Sequence, residues 1–131
     1  MNLELHHVAY VVNDLNESTQ QWEKGFGARV ELPPTLVSAH AVLVSFLRLG
    51  DARIELVQPS GPNAATGSRA RHQGNPDHLG FYCSDFDLRV ERARSERGII
   101  VREPVASEAF SDKRMCFVYY ANVGLIELIE R

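Results

Sequence analysis

A chain of 131 residues, 44% hydrophobic and 24% charged, is long enough for one domain with a real core and too short for two ordinary ones. A net charge of −3 and a pI near 5.9 give no basic field for nucleic acid, and no apolar run approaches the roughly 18 residues of a membrane span. The opening "MNLELHH" lacks the basic-then-apolar profile of a secretory signal, and Cys83 and Cys116 lie inside apolar runs. A cytoplasmic protein with two buried, reduced thiols is expected.

Taken in chain order, "LHHVAYVV" alternates and is β-rich, so a strand opens the chain. Asp14 then stands where an N-cap belongs, with Glu17 three residues on as in a capping box. In the helix that follows, Leu15, Trp22 and Phe26 share the apolar face, Glu17, Gln21 and Lys24 take the wet side, and Gly27 supplies the stop. Three strand candidates come next: "ARVEL", "AVLVSFLRLG" and "ARIELVQP", the last two joined by the tight turn "LGDA". Residues 61–76, "GPNAATGSRARHQGNP", read as a polar, glycine-rich linker long enough to be a functional loop too.

The second half repeats this order. "HLGFYCSD" is a strand, Asp85 the cap, Phe86, Val90 and Ala93 the buried stripe, "RVERARSER" the solvated face of the helix, and Gly98 its stop. The strands "IIVRE", "RMCFVYYA" and "GLIELIE" follow, with "ANVG" as the last turn. "HVAYVVND" (7–14) lies over "HLGFYCSD" (78–85) at an offset of 71, which Gly27 and Gly98 keep, and "RIELV" (53–57) recurs as "LIELI" (125–129) at an offset of 72. One inserted residue thus separates two βαβββ modules, residues 1–60 and 77–131, of a single domain spanning 1–131.

Strand alternation sorts the repeated residues between two faces. Val8, Tyr10 and Val12, with Leu79, Phe81, Cys83, Ile54, Leu56, Ile126 and Leu128, form the face for the helices. The opposite face carries His7, Glu55, His78 and Glu127, with Ala9 and Gly80 keeping space beside them. His and Glu are 48 residues apart in the first half and 49 in the second, so the duplication itself generates the set. Two imidazoles and two carboxylates suit one divalent ion such as Zn, Fe, Mn, Co or Ni. His6 points the other way, has Asp77 as its counterpart, and is expected at the strand's outer edge.

On these motifs, "HHVAYVVNDL", "RIELVQP", "PDHLGFYCSD" and "GLIELIE", the chain resembles the vicinal oxygen chelate superfamily, which includes the glyoxalases, bleomycin-resistance proteins and extradiol dioxygenases. The resemblance covers almost the whole chain and implies an α+β fold: two βαβββ modules in a curved, incompletely closed eight-stranded sheet around a metal cup. Residue by residue it makes His7, Glu55, His78 and Glu127 the ligands. Within the superfamily the chain is most similar to the methylmalonyl-CoA epimerases. It departs from them at Asp77, before His78, at "YYANVG", and at Val44, close to where some epimerases carry a second acidic base on the third strand.

The resemblance implies proton abstraction alpha to a carbonyl, with Glu127 as base and Glu55 as ligand or second base. His40, at the start of a strand, is an outside candidate better read as a surface histidine. Arg53 could hold a substrate carboxylate, and Lys113 and Arg114, with Arg69 and Arg71, could grip the phosphates of an acyl-CoA. Homodimerisation is expected by the same resemblance. A glyoxalase I-like lyase is the alternative on the ligand set alone. An Fe(II) extradiol dioxygenase needs the position that Glu55 fills, and a metal-free drug-binding protein has no reason to bury two Glu with two His.

Overall fold

The computed structural model describes residues 3–61 and 74–131. Asp14, in extended backbone, begins the first helix: its Oδ1 accepts the Glu17 N–H at 2.9 Å, and Gly27 closes the helix in the left-handed region at φ 73°. The elements run β1 (Leu3–Val11), α1 (Leu15–Phe26), β2 (Arg29–Val37), β3 (Val42–Leu49), β4 (Ala52–Pro59), β5 (Pro76–Cys83), α2 (Phe86–Ser95), β6 (Ile99–Ala106), β7 (Arg114–Tyr120) and β8 (Gly124–Glu130). Short 3-10 turns at Ser38–His40 and Glu108–Phe110 precede β3 and β7. This is the βαβββ order expected for each half. The fold is α+β, and the eight strands form one mixed sheet in the order β2-β3-β4-β1-β5-β8-β7-β6.

Contacts divide the chain into two units, one running from His7 to Asp77 and the other joining the start of β1, through His6, to His78–Arg131. In the first unit β1 pairs parallel with β4, and β4 and β2 pair antiparallel with β3. Its helix-side core is Val12, Leu15, Ala28, Leu47, Ile54 and Leu56, with Tyr10 and Trp22 packed on it. In the second, β5 pairs parallel with β8, and β8 and β6 antiparallel with β7, over Cys83, Phe86, Val90, Ala93, Cys116, Val118 and Leu128. Both cores are the face that alternation assigns to the helices.

The inserted residue has a definite place. β3 and β4 turn between the partners Leu49 and Ala52, whereas β7 and β8 turn between Tyr120 and Gly124, one residue more. The offset therefore changes from 71 to 72 in the last hairpin.

Several local expectations are corrected. Phe26 is 66% exposed, against the Trp22 ring at 5.2 Å, and of the helix only Leu15 is buried. Asp85 makes no side-chain capping bond to α2. Gly98 is not the left-handed stop: Arg97 takes that conformation at φ 67°, and the Gly98 N–H donates to the Ala93 carbonyl at 2.8 Å. A Cβ on Gly98 would stand 2.8 Å from both that carbonyl oxygen and Val118 Cγ1, so glycine serves a close approach there. His6 is buried at the start of β1, edge-on to Tyr82 and Phe110 at ring-centroid distances of 4.6 and 5.5 Å, not at an outer edge. His40 is also buried, in the 3-10 turn, because the following Ala41, at φ 52°, turns the chain back into β3. Of the linker, residues 62–73 lie outside the described residues, Arg69 and Arg71 among them.

Candidate metal centre

The ligand face of the first unit follows from register. Glu55 in β4 is the partner of Ala9 in β1 on one side and of Phe46 in β3 on the other. Opposed residues point to the same face, so Glu55 stands between a methyl group and a phenyl ring, two residues along β1 from His7. His7 Nε2 lies 3.4 Å from Glu55 Oε1, and its ring packs on Phe46 at 5.5 Å. Both residues are buried, His7 at 1% and Glu55 at 4% exposure.

The second unit repeats the same residue types at the same register, with a different ring angle. Glu127 is the partner of Gly80 and of Phe117; His78 Nε2 lies 3.6 Å from Glu127 Oε1, and the His78 ring meets Phe117 edge-on at 4.9 Å. Phe46 and Phe117, 71 residues apart, are thus a repeated part of each pair that composition and motif matching overlooked. The signal was present in the offset itself.

His7, Glu55, His78 and Glu127 form a group that could hold a metal ion, with one donor atom from each within 4.8 Å of the others. The donor set fits such an ion. Imidazole–carboxylate separations of 3.4 and 3.6 Å exceed those of a good hydrogen bond. Two donors held about 2.1 Å from one ion at tetrahedral or octahedral angles stand about 3.0–3.4 Å apart, which the first pair meets at 3.4 Å and the second, at 3.6 Å, slightly exceeds. Packed phenyl rings fix the imidazoles, and burial makes two carboxylates without a cation costly.

The cationic candidates fall in different places. The Arg53 guanidinium lies on the Glu55 face at the Gly50 end of the sheet, where its Nε donates to Glu31 Oε1 at 3.0 Å. Arg114 is on the helix side of β7: it bonds Asp87 at 2.9 Å and Glu130 at 2.7 Å and lies over the Phe86 ring at 4.9 Å. Those contacts hold the Glu130 carboxyl down at about 2 and raise the Arg114 pKa further. Arg114 thereby ties α2 to the sheet, on the face away from Glu127. Lys113, one residue before it, is exposed. Val44 is buried and apolar opposite Val57, so β3 presents Phe46, not a second carboxylate, beside Glu55.

A family model described as the glyoxalase/bleomycin resistance protein/dioxygenase superfamily matches residues 6–117. The chain belongs to that superfamily. Among curated proteins, the mitochondrial methylmalonyl-CoA epimerase of Bos taurus is 27% identical over 128 residues, covering 95% of this chain and 72% of the relative. The crystal structure of methylmalonyl-CoA epimerase from Mycobacterium tuberculosis matches with a TM-score of 0.81 at 24% identity, over 96% of this chain and 86% of that one. A Streptomyces coelicolor methylmalonyl-CoA epimerase variant in complex with 2-nitronate-propionyl-CoA matches at 0.83 and 17% identity, over 96% and 95% of the two chains. These structural likenesses show the fold. Among the described residues no helix is long and apolar enough to cross a membrane.

Proposed function

We propose that the protein is a metal-dependent isomerase of the methylmalonyl-CoA epimerase type, moving a proton on the carbon alpha to a carbonyl of an acyl thioester. The observation that carries this reading is the buried His–Glu pair repeated in each unit, 3.4 Å in one and 3.6 Å in the other. His7, His78, Glu55 and Glu127 would hold one divalent ion of the Co, Mn, Ni, Zn or Fe class. When bound, it supplies Lewis acidity to an oxygen pair on the substrate and lowers the cost of charge alpha to the carbonyl.

The chain's own residues do the rest. Glu127 is the base: its Oε1 is buried, and its strand neighbours are Gly80, which adds no side chain beside it, and Phe117. Glu55, flanked by Ala9 and Phe46, is a ligand and the second carboxylate able to return the proton from its side. Val42, Val44 and Val57 give the Glu55 face a buried apolar surround that keeps bulk water from the carbanionic carbon. An acyl-CoA substrate and a homodimer belong to the same reading, on the resemblance to the epimerases. Lys113 is left for a phosphate contact, while Arg114 is assigned to structure.

Deuterium wash-in at the alpha carbon of methylmalonyl-CoA tests the proposal. Exchange that Glu127→Gln abolishes and His6→Gln leaves in place is the expected result. No exchange, with turnover of a glutathione hemithioacetal instead, would move the reading to a glyoxalase I-like lyase; oxygen uptake with a catechol would move it to a dioxygenase.

A further inference from the structure

We propose that Leu125, Tyr119 and Ile99 form an apolar lane for a substrate whose acyl part carries an alkyl or aryl group of several carbons; the inference rests on the epimerase-type reading for the reaction beside it. Tyr119 in β7 is the strand partner of Leu125 in β8 on one side and of Ile99 in β6 on the other. Opposed residues share a face, so the three stand in one row across three strands. That row is one same-face pair along β7 and β8 from Phe117 and Glu127, roughly 7 Å away. From Leu125 it runs about 10 Å outward to β6, the last strand of the sheet.

The row is open to solvent. Ile99 is 62% and Tyr119 42% exposed, and Leu125 is half-buried. Single exposed hydrophobics are ordinary, but three opposed ones beside a buried carboxylate make a continuous apolar surface.

The duplication shows that the fold does not require this surface. The counterparts of Ile99, Tyr119 and Leu125 in the first unit are Arg29, Arg48 and Arg53, likewise opposed across three strands. Arg48 and Arg53 are ion-paired to Glu31 at 3.4 and 3.0 Å. Glu31 is the extra residue where β2 slips against β3, and at the corresponding slip of β6 against β7 the extra residue is Val101, 48% exposed. The same place is therefore charged in one unit and apolar in the other.

The edge beside the row is poorly suited to a second chain. β6 carries Pro104, which has no N–H to donate, together with the bulge and the charged Arg102 and Glu103, all of which blunt strand addition. A small apolar group lying on the sheet face needs no free edge.

The test is titration of the intact protein with sodium hexanoate and, separately, sodium acetate, following the methyl resonances of Ile99 and Leu125 by NMR. Saturable shifts are expected with hexanoate, at an affinity at least about tenfold above acetate, because the longer chain buries additional methylenes. Ile99→Ser and Tyr119→Ser, both at exposed positions, should each weaken hexanoate about threefold or more, whereas Leu88→Ser, equally exposed but on α2, should not. Equal affinity for the two acids, or hexanoate binding indifferent to the first two substitutions, would overturn the lane. Shifts that follow protein concentration instead of hexanoate would overturn it too, making the row a contact between copies. Hexanoate binding on the lane with no deuterium wash-in from methylmalonyl-CoA or its longer alkyl homologues would leave the lane standing and refute the epimerase reading instead.

Discussion

Gly80 lies directly across from Glu127 in the parallel pairing of β5 and β8, and Ala9 stands in the same relation to Glu55. Each carboxylate therefore has a small residue as its neighbour on the adjoining strand. Gly80→Val would put two methyl groups beside Glu127 while suiting a strand. Divalent-ion affinity, measured by competition with a chromogenic chelator, is expected to fall about 10–100-fold with the far-ultraviolet circular dichroism unchanged. Undiminished affinity would show that the space beside Glu127 is not used.

Gly98 and Arg97 should respond in opposite senses. Gly98→Ala brings a methyl within 2.8 Å of a carbonyl oxygen and of Val118, where backbone must yield, and is expected to cost about 1–3 kcal/mol. Arg97→Gly relieves a left-handed residue at φ 67° and is expected to stabilise by up to about 1 kcal/mol. Urea unfolding of the two variants gives both signs.

Acid stability should depend on Arg114. Its side-chain hydrogen bonds to Glu130, joined by its backbone N–H, hold that carboxyl at about 2 against an ordinary 4.5. A depressed carboxylate stabilises the fold fully above its unfolded value, and the contribution fades as pH falls through the folded one. Arg114→Met is expected to flatten the pH dependence of stability between those two values, read from unfolding at stepped pH. A parent-like slope in the variant would remove the ion pair from the acid response.

Neither cysteine should behave as a reactive thiol. Burial pushes Cys116 up to about 11 and Cys83 upward as well, so thiolate is scarce near neutrality. Ellman's reagent at pH 8 is expected to leave both untouched in the folded protein and to label both in denaturant.

The duplication was the legible part of this sequence. It gave the βαβββ order, the helix-side cores and the His–Glu pairs, because a repeat tests each assignment twice. Alternation tells which face a side chain takes but not what covers that face, which is why His6 and His40 were read as peripheral and Phe26 as core. Gly98 was misread because a glycine after a helix signals a stop, whereas here the constraint comes from Val118, distant in sequence. The Glu31 bridge to Arg48 and Arg53 was invisible because it depends on a bulge, and a one-residue slip leaves no mark in composition or spacing.

Divalent metal content is the most direct test of the four-residue centre. Protein purified without added metal, then reconstituted and desalted, should carry about one equivalent of a first-row divalent ion per chain, and His78→Ala should lose it. Less than about half an equivalent, with no rise on reconstitution, would contradict a metal centre built from His7, Glu55, His78 and Glu127.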